Sequence, residues 1–498
     1  MQGGDARLIV DPDTGLNRYG CSPSPREAAF TFASSTATSI STAAYQATET
    51  YRQRLLHDCL QADGLTPLAT HCRALEQELA ATFGLTDLAP DVHLSPSGTD
   101  AQLHTVAAVT TAEPGRWISI VCGADETGSG TPFSVTGCHF DDTTCLGHRV
   151  TKGERLAGMA PIEFAGIAFR DASGRLRTLE ELDDAIEARA AIEQGDRVML
   201  HAMDQSKFGC WAPSPARLEQ LRHRYGERLQ VIIDACQLRL DAEDLRDHVA
   251  KGDILLLTGS KFFTGPPFSG AAVFPEALAR RLQQSERQLP SGLTDYLPQA
   301  DTGAWQAQLP NAPTPLTIGM YLRWYAALAE MKRYYQVPKA MRINELEHFG
   351  REVMALIDAH PHVEALFQPA SPWWARTGMH GDELSSRRSI FPFLIRDAEG
   401  HYLEQTQVKA LYEQLNRDQS DTPGLTAEER TLAAQCCHIG QPVKIDGKRT
   451  SALRISMGAR IIADGQHDAH HLDEELRQVR IVLEKLTLCV QPLLPCYS

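Results

Sequence analysis

The sequence predicts an α/β fold, with a large domain on a mostly parallel, helix-covered sheet and a smaller α+β domain after it. Three observations carry this. Five short runs, "RWISIVC" (116–122), "RVMLHAM" (197–203), "LQVIID" (229–234), "DILLLT" (253–258) and "GAAVF" (270–274), are almost wholly apolar. Strands that read this way are buried on both faces, as parallel sheets are. Helical segments alternate with them, which is the pattern of a sheet covered on both sides. A Pro-rich break, "LPSGLTDYLPQADTGAWQAQLPNAPTPLT" (289–317), then precedes a stretch with strands and helices of its own.

Taken in order, residues 1–45 are irregular and rich in Ser, Thr and Pro, and read as an N-terminal arm. Residues 46–84 read as helical, with apolar positions three and four apart in "YRQRLLHDCL" and "CRALEQELAATFG". Between two of the strands lies the helix "SPARLEQLRHRYG" (214–226), with Ser214 as N-cap and Pro215 at its first position. After the break, "MYLRWYAALAEMKRYY" is a strongly helical linker. The smaller domain shows "SIFPFLIRD" and "SALRISM" as strands and "HHLDEELRQVRIVLEKLTL" as a closing amphipathic helix. The expected division is an arm at 1–45, a large domain at 46–320, and the linker helix with the small domain at 321–498.

The 498 residues carry 63 acidic and 48 basic side chains, a net charge of −15. Such a surface repels nucleic acid and anionic membrane, so neither is an expected partner. No apolar run is long enough to span a bilayer. The start, "MQGGDARLIVDPDTG", lacks a basic segment followed by an apolar one, so a cytoplasmic location is expected. Twelve cysteines without C-x-x-C pairs fit reduced thiols. Cys138, His139, Cys145 and His148 fall within eleven residues, but their spacing matches no common zinc pattern, and no metal is expected. Walker-type, G-x-G-x-x-G and G-x-S-x-G motifs are also missing in the contexts they require.

Four features carry chemistry. "LSPSGTDAQLHTVAAV" is a Ser-Gly-Thr turn opening a helix, where backbone amides and the Ser97 and Thr99 hydroxyls suit a phosphate. "VIIDACQ" ends a strand on Asp234, the place where parallel sheets present ligand groups. "LLLTGSKFF" puts Lys261 just past the next strand, 27 residues later, with Thr258 and Ser260 as further hydroxyls. An amine near apolar surroundings suits Schiff-base chemistry. "SALRIS" places Arg454 in a small-domain strand, and its planar fork matches a substrate carboxylate.

In order and content these residues resemble the pyridoxal-phosphate enzymes of fold type I, and more narrowly the aminotransferase class V group that includes cysteine desulfurases. The resemblance runs from about residue 45 to the end. It implies a seven-stranded-type sheet in a cofactor-binding large domain and pyridoxal 5'-phosphate as cofactor. It implies a phosphate site at Ser97, Gly98 and Thr99, extended by Thr258 and Ser260. Asp234 then pairs with the pyridine nitrogen, Gln237 lies by the ring hydroxyl, and Lys261 is the catalytic Schiff-base lysine. "SKFGCWAP" resembles the group's Asn-x-x-Gly loop, with Ser206 in the asparagine's place, and Arg454 matches the late arginine that binds substrate. A homodimer is implied as well, with "NAPTPLTIGM" (311–320) a candidate cross-subunit contributor.

Two departures bear on the reaction. Thr127 follows Glu126 where the group has a ring-stacking histidine. "QCCHIGQPV" resembles the desulfurase cysteine loop, but Ile439 holds the cysteine's place, with Cys436 and Cys437 two or three residues earlier. The expected activity is Schiff-base and quinonoid chemistry on a small α-amino acid, of the lyase, β- or γ-replacement, or aminotransferase type. The alternatives are desulfurase-like sulfur transfer and a catalytically silent binding protein. Retention of both Asp234 and Lys261 argues against the silent one. Glu126, His139, Arg387, Arg388 and the arm are possible pocket-lining groups.

Overall fold

A computed structural model describes residues 5–62, 66–191, 196–314, 317–371, 373, 384–445 and 447–490. The strands in chain order are β1 (Ala29–Phe32), β2 (Asp91–Ser95), β3 (Arg116–Cys122), β4 (Ile162–Ile167), β5 (Asp196–Met203) and β6 (Leu229–Ala235). They continue as β7 (Ile254–Thr258), β8 (Gly270–Phe274), β9 (Val363–Ala365), β10 (Ile390–Ile395), β11 (Cys436–Lys444) and β12 (Ser451–Ser456). Seven of them form the large sheet in the order β2-β8-β7-β6-β5-β3-β4. Only β8 runs against its neighbours. The mostly parallel sheet of the fold type I architecture is therefore present.

Alternation along the central strands builds two cores. Val231, Ile233, Leu255 and Leu257 face one side, where Leu218, Leu221, Leu245 and Val249 of crossover helices cover them. Ile232, Ile254 and Leu256 face the other, against the third helix α3 (Gly98–Ala112), which follows α1 (Thr42–Gln61) and α2 (Thr66–Thr82). A strand sends successive side chains to opposite faces, so Asp234 and Thr258 share the α3 side with Ile232 and Leu256. The Pro-rich break packs over this second core through Leu293, Tyr296 and Trp305. His93 of β2 stacks on Trp305 with ring centroids 4.3 Å apart.

β2 and β4 are strands that the apolar-run reading passes over. "DVHLS" carries Asp91 and His93, and β4 is an edge strand with Glu163, Phe164 and Gly166 exposed. The helix Ile318–Gln336 is more than a linker. It packs on α1 and α2, and Trp324 donates to the Gly270 carbonyl at 2.9 Å. In segment 311–320, residues 315 and 316 lie outside the described residues.

The smaller sheet has the order β1-β11-β12-β10-β9. Its first strand corrects the arm reading, because β1 lies in the N-terminal segment and pairs in parallel with β11, Ala29 opposite Cys436 through Phe32 opposite Ile439. A four-residue strand among Ser, Thr and Pro gives no periodic signal. The segment that resembles a cysteine loop is β11 itself, a nine-residue strand in which Cys437 and Ile439 are fully buried.

The Cys138–His148 cluster is held by ordinary contacts. His139 Nδ1 lies 2.9 Å from the Tyr296 hydroxyl, His148 Nδ1 lies 3.0 Å from Asp295, and Cys145 donates to the Tyr296 carbonyl. Among the described residues no helix is long and apolar enough to cross a membrane.

Arg239, just past β6, ties three parts of the chain together. It is fully buried and donates to Ser389 Oγ at 2.5 Å, Met457 O at 3.1 Å and Ser34 Oγ at 2.9 Å. Arg239→Ala removes these donors from a site without solvent. It is expected to cost about 3 kcal/mol, read as a lowered thermal or denaturant midpoint. An unchanged midpoint would show that the tie is dispensable.

Candidate active site

The site lies at the carboxyl ends of the parallel strands, where α3 begins. Ser97 caps α3, accepting from the Asp100 amide at 3.3 Å while its hydroxyl donates to Asp100 Oδ2 at 2.5 Å. The first-turn amides have no carbonyl four residues back to bond. Gly98 permits the close approach of this turn to the sheet. A Cβ there would lie 2.7 Å from Cys236 Sγ and 3.3 Å from the Thr258 methyl.

Asp100 is itself fully buried, and Arg7 from the N-terminal segment neutralises it. Arg7 Nη2 donates to Asp100 Oδ2 at 2.9 Å and to Asp5 Oδ2 at 2.6 Å, and Nη1 reaches Ser97 Oγ at 3.2 Å. Burial alone would lower the Arg7 pKa, but Asp100 and Asp5 outweigh it and raise it well above the ordinary value. Nothing in the sequence spacing announces this contact across more than 90 residues.

Asp234 is the penultimate residue of β6, and its Oδ1 accepts from the Cys236 amide at 3.2 Å. Gln237 donates to the Ser35 carbonyl at 3.1 Å, and its buried Oε1 has no hydrogen-bond partner. The adjacent β7 leads into a compact turn. The Gly259 amide donates to Ser269 O, the Thr264 amide to Lys261 O, and the Gly265 amide to Gly259 O. Thr264 and Phe268 there have φ of 55° and 71°, conformations rare for residues with side chains. The turn thus fixes the backbone of Lys261 from both sides.

Ten sequence-predicted residues, Ser97, Gly98, Thr99, Thr127, Ser206, Asp234, Gln237, Thr258, Ser260 and Lys261, line one cavity of about 190 Å³. Some of their hydroxyls are already engaged. Thr258 donates to Cys236 O at 2.6 Å, and Ser206 donates to Glu126 Oε2 at 2.5 Å while accepting from the Phe208 and Cys210 amides. The Asp100 amide is also taken up, by Ser97, so the cavity donors left for a ligand are the Gly98 and Thr99 amides of the first turn of α3 with the Thr99 and Ser260 side chains.

Arg454 is placed differently from the sequence reading. It does not line the cavity, and both terminal nitrogens of its guanidinium are bonded within the chain, while its buried Nε has no hydrogen-bond partner. Nη1 donates to Ser35 O (3.4 Å) and Lys207 O (3.2 Å), and Nη2 to Thr36 Oγ1 (2.8 Å) and Gln441 O (2.8 Å). Central β12 points it inward behind the cavity rim, opposite Gly440, where a Cβ would lie 2.9 Å from the Arg454 Cβ. Burial holds its pKa down at about 10. Cys436 and Cys437 stand apart from the cavity, and burial pushes the Cys437 thiol up to about 12. His139, Arg387 and Arg388 are not among the cavity residues either; Arg388 donates to Trp373 O and Phe208 O.

Two charged groups join the wall. Glu126 is buried, with Arg170 Nε 3.6 Å away, and burial pushes its carboxyl up to about 7 despite that neighbour. Lys207 adjoins Ser206, and its ammonium donates to the Thr127 carbonyl. Burial, with the Arg454 and Lys261 cations, brings it down to about 8. Tyr19, Thr36 and Ala37 of the N-terminal segment complete the rim beside Phe268. Lys207 stands inside the quoted "SKFGCWAP", but only folding turns it toward the cavity.

No protein-family model matches the chain, and no curated protein matches it. Solved structures do. A NifS-like protein is 11% identical and superposes over 92% of this chain and 99% of its own, with a TM-score of 0.53. The cysteine desulfurase CsdA from Escherichia coli is 13% identical, covering 93% and 96%, with a TM-score of 0.52. The cystine C-S lyase C-DES, in a variant with glycine covalently linked to its PLP cofactor, is 13% identical, covering 91% and 96%, with a TM-score of 0.52. At these identities the likeness establishes the shared fold.

The Glu126 shift has a testable sign. Its folded value lies above the ordinary 4.5, so the fold favours the protonated acid. The stability this contributes is complete below about pH 4.5 and is lost as pH rises through about 7. Glu126→Gln is expected to make the thermal midpoint fall less steeply across that window than in the parent protein. Parallel melting profiles would refute the assignment.

Proposed function

We propose that this protein is a pyridoxal 5'-phosphate-dependent enzyme acting on a small α-amino acid, as a lyase or a transferase. The observation that carries it is the meeting of Lys261, Asp234, Gln237 and the α3 N-terminus on one cavity. The donor set fits the cofactor group by group. An anion cradle at α3 suits the phosphate, Asp234 suits a protonated ring nitrogen, and an amine suits the aldehyde. The orphaned, buried Gln237 Oε1 suits the ring hydroxyl. The fold shared with C-DES, which carries a PLP cofactor, supports this reading.

When bound, the cofactor supplies an aldehyde that condenses with amines and a ring that takes up an electron pair from the substrate. The chain does the rest. Asp234 would hold a proton at the ring nitrogen, and the Lys261 amine would take and return the proton of the substrate α-carbon. Met203, Phe268 and the Thr127–Gly128 turn form the remaining wall of the cavity. Thr127 offers no ring for stacking. Lyase or replacement chemistry is favoured over sulfur transfer to a loop cysteine, because Ile439 and Cys437 are buried in β11. Assembly as a homodimer belongs to the same proposal.

The purified protein is expected to be yellow or to become so with added pyridoxal phosphate. Borohydride should then fix the cofactor to Lys261, as found by peptide mass mapping. Lys261→Ala should abolish the linkage, and Asp234→Asn should lower turnover at least about 100-fold, the scale on which positioned charges act in catalysis. A protein that takes up no cofactor would overturn the proposal. Among amino-acid substrates, release of a fragment such as sulfide or pyruvate marks a lyase, and retention of the amine on the cofactor marks a transferase.

A further inference from the structure

We propose that Lys207 receives the α-carboxylate of the substrate in this cavity; the inference rests on the pyridoxal-phosphate reading. Two cationic side chains, Lys207 and Lys261, line the wall. Lys261 is committed to the cofactor aldehyde, which leaves Lys207 to meet a substrate anion. Its ammonium has three donors, and the hydrogen bond it makes in this structure goes to the Thr127 carbonyl, itself part of the wall.

Arg454, the residue that the sequence assigns to the carboxylate, would have to give up hydrogen bonds to four oxygens to reach it. One of those oxygens is the carbonyl of Lys207. The opposite side of the same residue is held by its own amide, which donates to Glu126 O at 3.4 Å. The two contacts fix the backbone from which the lysine side chain extends. Arg454 is thus a positioning residue for the rim, and the contact with substrate passes to the lysine that it steadies. A compact ammonium is a point charge, so the carboxylate is held by attraction without the bidentate geometry that a guanidinium imposes.

The test compares each amino acid with its decarboxylated amine. Binding is followed as the absorbance change of the bound cofactor, and KM and kcat are measured separately. The wild-type protein is expected to prefer the amino acid by about 10- to 100-fold, the range for a hydrogen bond to a charged group. Lys207→Gln keeps a donor for the Thr127 carbonyl but removes the charge, and Lys207→Met removes both. Both should take up cofactor on Lys261 normally and lose the preference, with KM rising more than kcat falls. Lys207→Arg should restore part of it. Retention of the preference in Lys207→Gln, together with its loss in Arg454→Met, would overturn the inference and return the role to Arg454. Failure of the wild-type protein to bind cofactor would appear at the borohydride step and overturn both proposals.

Discussion

Two buried guanidinium groups hold the segment around Ser34–Thr36 between the two sheets, and Thr36 and Ala37 of that segment line the cavity. Arg239 and Arg454 direct their hydrogen bonds to carbonyl and hydroxyl oxygens. Burial costs each of them hydration, and their pKa values drop to about 9 and about 10. What compensates is the number of acceptors supplied by three separate stretches of chain. Neither arginine can make these hydrogen bonds until the N-terminal segment and both sheets are in place, so the cavity rim forms only in the complete fold.

Arg7 shows the other way to bury a guanidinium. It sits between Asp5 and Asp100, and those carboxylates raise its pKa. The result is a neutralised carboxylate in the first turn of α3. An unneutralised one would oppose any anion bound at that helix end. The N-terminal segment thus acts at both ends of the cavity, through Arg7 near α3 and through Tyr19, Thr36 and Ala37 at the rim.

The fold was legible where burial is two-sided. β3, β5, β6, β7 and β8 are apolar almost throughout because helices cover both faces of their sheet. Legibility failed where a strand is at an edge or borrowed. β4 exposes half of its residues, and β1 is four residues inserted beside a strand some 400 positions later in the chain. β11 was hidden for another reason. Its Cys-Cys-His-Ile sequence resembles a loop elsewhere, and only pairing with β1 and β12 makes it a strand.

For the candidate site, the sequence by itself determined which groups end the central strands. Asp234, Lys261 and the Ser97–Thr99 turn follow apolar runs or open a helix, and period-two alternation then directs Asp234 and Thr258 toward α3. Those are local consequences of strand and helix geometry. The tertiary structure alone decided that the terminal nitrogens of Arg454 are bonded into the rim while Lys207 lines the cavity. The physical reason is that a long cation goes wherever acceptors surround it, and these acceptors come from residues 35, 36, 207 and 441, which no local pattern brings together.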